Sequence, residues 1–231
     1  MARIPAAERR AELVAAAVRV IAADGVDGAT TRRIAQEANA PLATLHYCFA
    51  TKEVLFAAVF EHVAGQYREV LTRNDVHGDV AITARALLRG VMEWYLANPD
   101  FGAAIVELIS WGQRQEGQQA EMVYNEASAT LRAILESAAT ASGRPVDPDT
   151  IDALTYIVST LSDGFALNWL VFTDPPAAER QIELILGVLD AWMAAHVGDA
   201  PAPAAPAPAP APKTASPEEA MRSLVSWVSV E

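Results

Sequence analysis

Thr30-Thr31-Arg32-Arg33-Ile34-Ala35-Gln36-Glu37-Ala38-Asn39-Ala40-Pro41-Leu42-Ala43-Thr44-Leu45-His46-Tyr47-Cys48-Phe49-Ala50-Thr51-Lys52 is the stretch that decides the fold of this 231-residue chain. It reads as a short helix, a tight break and a second short helix. The break is Asn39-Ala40-Pro41. Asn tolerates left-handed backbone angles, and Pro fits the first turn of a helix, where its missing N–H is not needed. Ile34, Ala35 and Ala38 share one helical face, and Leu45 and Phe49, four apart, close against it. Ala43, Thr44 and Tyr47 are left facing outward, flanked by Leu42, His46 and Cys48. This is the layout of a helix-turn-helix whose second helix enters a DNA major groove.

Upstream, residues 6–24 form a first helix with Leu13, Ala17, Val20 and Ile21 on one stripe and Asp24-Gly25 as its stop. Arg3, Arg9 and Arg10 lie at its start, either as phosphate contacts or as solvated surface charges. Thr30 suits the N-cap of the second helix and Thr51 that of a fourth, which runs amphipathically from Lys52 to about Arg73. Asn74 to Asp79 is a loop. From there to about residue 197 the period is helical throughout, with helices expected near 79–97, 100–114, 117–141, 148–172 and 176–196. The breaks are Asn98-Pro99, Ser142-Gly143-Arg144-Pro145 and Asp174-Pro175-Pro176.

The helix from Asp149 to Phe172 carries Ile151, Leu154, Val158, Leu161, Phe165, Trp169 and Phe172 at three-and-four spacing, and its other side is apolar or small as well. A helix apolar on both faces is buried on both. With 176–196 beside it, the pair has more apolar surface than one subunit's core needs, so a homodimer through a four-helix bundle is expected. Ala200 to Pro212 alternates Ala and Pro and reads as an extended spacer. Ser216-Pro217-Glu218-Glu219 then opens a short amphipathic helix, too short to be stable alone in water, which is expected to dock on the chain itself or on another protein.

The net charge of −12 argues against a nucleic-acid binder only until it is divided. Residues 1–52 hold seven Lys and Arg against five acids, a net of +2, so the remainder carries −14. A basic head on an acidic body follows. The longest apolar run, Val54 to Phe60, is far too short to span a bilayer, and no apolar signal core follows Met1. The expectation is a cytoplasmic protein with no membrane partner. One cysteine permits no intrachain disulfide. The four histidines, His46, His62, His77 and His196, are scattered, so no catalytic residue, metal site or cofactor is expected. Asp147, Asp149 and Asp152 read as complements to a helix dipole.

The order of elements resembles the TetR family of bacterial transcriptional regulators, most strongly over Arg9 to His62. Thr31-Arg32-Arg33-Ile34-Ala35 is similar to the family's second helix. Leu45-His46-Tyr47-Cys48-Phe49-Ala50-Thr51-Lys52-Glu53-Val54-Leu55 is similar to its Leu-Tyr-Tyr-His-Phe-x-x-Lys-Glu-x-Leu signature. The chain departs at Asn39, Ala40 and Pro41, where the family usually has Gly, Val and Ser, and at Ala43, His46 and Cys48. The resemblance implies that Thr30, Thr31 and Lys52 hold phosphates, that Arg32 reaches phosphate or a guanine edge, and that Leu42, Ala43 and Thr44 touch bases. Tyr47 would donate to a phosphate, and His46 would make a polar contact or pack partly buried.

The resemblance also places an effector pocket in the body, an apolar cavity with a few polar anchors. The large aromatics there supply the candidate lining: Trp94, Tyr95, Phe101, Trp111, Tyr124, Phe165 and Trp169, with Glu107 and Asn168 as anchors. The fold class expected is all-α, an N-terminal three-helix helix-turn-helix DNA-binding head over 1–52 and a larger helical effector-binding and dimerisation body over 53–198. A linker over 199–215 and the short helix over 216–231 complete the chain. The expected function is a homodimeric repressor released from double-stranded, near-palindromic operator DNA by a small apolar effector. Two other classes fit the pattern less fully: a helical ligand-binding or scaffold protein without DNA binding, and a cofactor-free enzyme on the aromatic pocket.

Overall fold

The computed structural model describes residues 5–114, 118–143 and 146–197, the side chains of 118–120 excepted. Among these residues every regular element is a helix. They are α1 (Ala6–Gly28), α2 (Thr31–Glu37), α3 (Leu42–Cys48), α4 (Lys52–Arg73), α5 (Val80–Ala97), α6 (Pro99–Arg114), α7 (Gln118–Ala141), α8 (Pro148–Phe172) and α9 (Pro175–His196). No single described helix is long and apolar enough to cross a membrane. The expected linker over 199–215, the helix over 216–231 and the terminal Arg3 lie outside the described residues.

The boundaries follow local chemistry. The Thr30 and Thr51 hydroxyls accept from the N–H of Arg33 and Val54, at 3.2 and 3.3 Å, and so cap α2 and α4. Asp79 caps α5 through Ile82 N–H at 2.9 Å. Asp147 accepts from Thr150 N–H at 3.3 Å, and Pro148 follows it at the start of α8. The expected stop at Asp24-Gly25 is a kink instead of an end: Gly25 has φ 71°, and one further turn continues to Gly28. Glycine alone adopts that backbone without strain.

One continuous apolar core runs from the head into the body. In the head, Leu13, Ala17, Val20 and Ile21 of α1 meet Ile34 and Ala35 of α2 and Leu45 and Phe49 around α3, all buried. In the body, α5 lies centrally against α8 and α9, and α7 bridges α4 and α8. Leu87, Leu88, Met92, Leu135, Leu154, Ile182, Leu186 and Leu189 are fully enclosed there. The Asn74 side chain, which donates to Val70 O at 2.8 Å, closes α4. It presses so near α5 that a Cβ on Gly90 would stand 2.1 Å from it. Arg85 pairs with Glu183 and Asp190, and Arg89 with Glu179 and Glu183, which tie α5 to α9 along the surface. Exposed pairs of this kind contribute little stability but fix the register of two helices.

Head and body meet chiefly where α1 packs along α6, the most extensive helix pairing in the molecule. At the α1 kink, a Cβ on Gly25 would stand 3.4 Å from Glu107 Oε2 on α6. The second connection is covalent, because only three residues separate the end of α3 from the start of α4, which packs on α7 and α5.

Candidate nucleic-acid interface and effector cavity

Asn39 takes φ 47°, the left-handed backbone expected of it, and Ala40 N–H closes the turn on Ala35 O at 2.9 Å. Pro41 stands one position earlier than a first-turn proline, at the N-cap, with its carbonyl accepting from Thr44 and Leu45. Leu45 and Phe49 are then anchored in the head core, which leaves the opposite side of α3 outward. Ala43, His46 and Tyr47 are exposed, Tyr47 to 82%, and Leu42, Thr44 and Cys48 are half-buried beside them. His46 is thus a surface side chain and not a packing one.

The cations of the head divide by their partners. Arg33 bonds Asp24 at 3.0 Å and Glu37 at 3.2 Å, and Arg19 bonds Glu37 at 3.0 Å. These two guanidinium groups, Arg19 first, hold the Glu37 carboxyl below its ordinary range, so this acid stays ionised and neutralised. Arg9 pairs with Glu12 at 2.7 Å. Arg10 donates to Cys48 O at 2.7 Å and lies 4.1 Å from the Phe49 ring centroid. It therefore clamps the end of α3 onto α1 with one of its five N–H groups. Lys52 reaches back to Val26 O at 3.5 Å and stacks 4.9 Å from the Phe56 ring centroid. Arg32 is exposed and forms no ion pair among the described residues. Thr30 is exposed, and since its oxygen accepts in the cap, its hydroxyl proton remains available to an acceptor outside.

In the body, α4 to α8 line a partly open cavity whose free volume is about 40 Å³. Tyr67 and Leu71 of α4, Val91 of α5, and Ile105 and Ile109 of α6 form its apolar side. Val123, Tyr124, Ser128 and Leu131 of α7 face Val158, Ser159, Ser162 and Asp163 of α8 across it. Tyr124 donates its hydroxyl to Asp163 Oδ2 at 2.9 Å. Burial pushes the Asp163 carboxyl above its ordinary range, and the Tyr124 bond offsets part of this. Burial and then the Asp163 charge push the Tyr124 phenol far above its own range. Tyr67 shares a hydroxyl–hydroxyl hydrogen bond with Tyr95, which lies behind it and is buried. Ser162 spends its proton on Ser159 O at 2.9 Å.

Of the nine side chains expected at the effector, the cavity contains Tyr124. Tyr95, Trp94 and Phe101 form an aromatic cluster behind Tyr67, with the Trp94 and Phe101 rings edge-on at 4.6 Å. Trp111 packs under α4, its ring 5.4 Å from Phe56 and 6.3 Å from Phe60. Glu107 is exposed at the α1–α6 junction. Phe165, Asn168 and Trp169 line a different feature, an open groove of about 300 Å³ between α8 and α9 with Leu161, Gly164, Phe172, Leu184 and Ile185. Asn168 donates to Gly164 O at 2.8 Å and lies outside the cavity, whose lining includes the acid Asp163. Asp163 had a readable signal, since it is the only charged residue from Ala153 to Thr173. Tyr67 had none, because its helix reads as a connector. Asp147, Asp149 and Asp152 are separate in role: Asp147 caps α8 and Asp152 pairs with Arg132. Among the described residues no group of three His, Cys, Asp or Glu is placed to hold a metal ion.

Residues 13–59 match the family of bacterial regulatory proteins, tetR family. The HTH-type nicotine-responsive transcriptional repressor HdnoR of Paenarthrobacter nicotinovorans is 30% identical over 198 residues, spanning 83% of this chain and 97% of that protein. The HTH-type transcriptional repressor NicS of Pseudomonas putida is 28% identical over 132 residues, 55% of this chain and 62% of that protein. Among solved structures, a TetR family member from Streptomyces coelicolor A3, SCO1917, superposes with a TM-score of 0.60 at 26% identity, covering 79% of this chain and 98% of that one.

Proposed function

The chain belongs to the tetR family of bacterial regulatory proteins and is a ligand-responsive, DNA-binding transcriptional repressor, and from that premise we propose how its parts divide the work. It acts as a homodimer. The open groove of α8 and α9 supports this, because Phe172 and Leu184 of its lining, and Leu167, Val171 and Val188 on the same two helices, stand exposed in a single subunit. Contiguous apolar surface of that kind marks an association site, and a four-helix bundle of two such pairs would cover it.

Each head would set α3 in a major groove of a near-palindromic operator, with half-sites about 34–36 Å apart. Leu42, Ala43, Thr44 and His46 face the bases. Thr30, Thr31, Tyr47, Arg32 and Lys52 surround them as phosphate contacts, Lys52 by leaving Val26 O for a stronger acceptor. Asn39, Pro41, Ala43 and His46 give this surface its own sequence preference.

The observation that carries the regulatory reading is the ownership of the cavity walls. Tyr67 and Leu71 belong to α4, which begins directly behind α3, and Ile105 and Ile109 belong to α6, which packs along α1. A free volume of about 40 Å³ is far below that of an ordinary organic-ligand pocket, on the order of 300–1,000 Å³. An effector must therefore part α7 and α8 from α4 and α6, and so move both attachments of the head. It weakens operator binding only to the extent that it prefers that parted state. A relative named for its response to nicotine supports a small organic effector of largely apolar surface.

Selection of bound fragments from genomic DNA tests the proposal. A near-palindromic sequence is enriched by the full chain, and the enrichment is lost with Tyr47→Ala. Enrichment of nothing, or of the same fragments by the variant, contradicts the assignment of α3.

A further inference from the structure

We infer that the cavity takes an organic cation, a protonated amine whose N–H is received by the Asp163 carboxylate; this rests on the cavity being the effector site. Asp163 is a carboxylate set among apolar walls, and its hydrogen-bond donor there is the neutral hydroxyl of Tyr124 at 2.9 Å. No Lys, Arg or His lines the cavity. The nearest cation on α4, Arg68, is spent on Glu126 of α7 at the surface. A carboxylate partly withdrawn from water without an opposite charge is costly, and the described lining supplies no counter-charge to relieve it. A ligand that brings it gains a charge-assisted hydrogen bond in a half-buried site, where water competes less than at the open surface.

The remaining lining selects among cations. One carboxylate with hydroxyl neighbours is too few donors for a metal ion, in keeping with the absence of any metal-holding group among the described residues. Tyr67 and Tyr124 present aromatic rings to the same space, and a ring face attracts a weakly hydrated ammonium. Ser128 and Ser159 have hydroxyl oxygens with no hydrogen bond in the described structure, ready to accept a second N–H. The rest of the wall, including Leu71, Ile105 and Leu131, suits a compact hydrocarbon or aromatic frame. Tyr124 is then a positioning residue: its hydroxyl holds Oδ2 and leaves Oδ1 for the ligand. Burial raises the tendency of the free carboxyl to hold its proton, and a bound ammonium favours the ionised form. Affinity therefore falls as pH is lowered through the range in which Asp163 takes its proton.

The test uses the full-length protein and arylalkyl probes matched in shape: phenethylamine, N-methylbenzylamine, tryptamine and N-methyltetrahydroisoquinoline, each beside its alcohol or ether isostere, with phenylacetate as the anion. Calorimetric affinity and thermal shift are read at neutral and mildly acid pH. Amines bind more tightly than their neutral isosteres, and Asp163→Asn, which keeps the side-chain shape and an acceptor for Tyr124, removes this preference, by about ten- to one-hundred-fold. Asp163→Glu, which keeps the charge, retains part of it. The inference is overturned if neutral isosteres bind as tightly as amines, if Asp163→Asn keeps the amine preference, or if no amine binds. Each of these leaves the regulator reading intact as long as an operator is enriched from genomic DNA; loss of that enrichment is what removes the regulator reading itself.

Discussion

One side of α8 turns Val158, Ser159, Ser162 and Asp163 into the cavity, and the other turns Leu161, Gly164, Asn168 and Phe172 to the open groove with α9. The cavity side is the more polar, with two serines and an aspartate. The open side carries the large aromatics. On the proposed reading, apolar bulk on this helix serves contact between two subunits, whereas the isolated polar group among apolar neighbours serves a smaller ligand. Bulk excludes water over a wide area and is best used on a second copy of the same surface. A lone carboxylate is tolerated only if something relieves it.

The largest effect expected is from breaking the open side. Leu184→Asp puts a charge at an exposed apolar centre of that groove, away from the cavity and the head. Sedimentation should find a monomer, and operator affinity should fall about 10²- to 10⁴-fold, because the two heads no longer bind as one linked pair. A dimer that persists unchanged would place the interface elsewhere. In that monomeric background a second pair of changes sharpens the contrast. Leu131→Ala, buried in the cavity wall, should cost about 2–5 kcal/mol in denaturant unfolding. Leu167→Ala, exposed on the open side, should stay within about 0.5 kcal/mol.

A smaller effect separates the role of Asp163 in stability from its role in binding. Its folded pKa is raised, so the unfolded chain loses the proton first. The protonated carboxyl supports the fold at low pH, and that support is lost as pH rises through the folded value. Asp163→Asn does not titrate, so its melting temperature should exceed that of the parent protein by a few degrees at neutral pH. The advantage should shrink to nothing as pH falls into the ordinary carboxylate range. A constant difference across pH would mean that the carboxyl pays no burial cost.

The head was legible because its logic is local. Twenty-three consecutive residues hold the caps, the left-handed Asn39 and the buried frame of Ile34, Leu45 and Phe49, and each acts within a few positions of its partner. Helix boundaries in the body were legible for the same reason, through Asp79, Asn98-Pro99 and Asp147-Pro148. The cavity was not, because it is assembled from five helices between Tyr67 and Asp163, and helical period cannot say which of two apolar sides faces a gap. Trp94, Phe101 and Trp111 looked like lining by size alone, and their size is what makes them packing for one another and for Phe56, Phe60 and Tyr67. Arg10, read from the sequence as either a phosphate contact or a solvated charge, also donates to the open carbonyl of Cys48 at the end of α3, a long-range bond that local pattern does not show.

The account stands or falls on whether the cavity side of α8 governs the head. The direct measurement is the anisotropy of a labelled operator fragment on the full-length protein, titrated with the probe that most stabilises it, for the parent protein and for Ser159→Leu. The added side chain fills the cavity without touching α3 or the open groove. The parent should release the operator, while Ser159→Leu should bind it with the same starting affinity and keep it throughout. Release of both at the same probe concentration would contradict the account, because the effector would then act from somewhere other than this cavity.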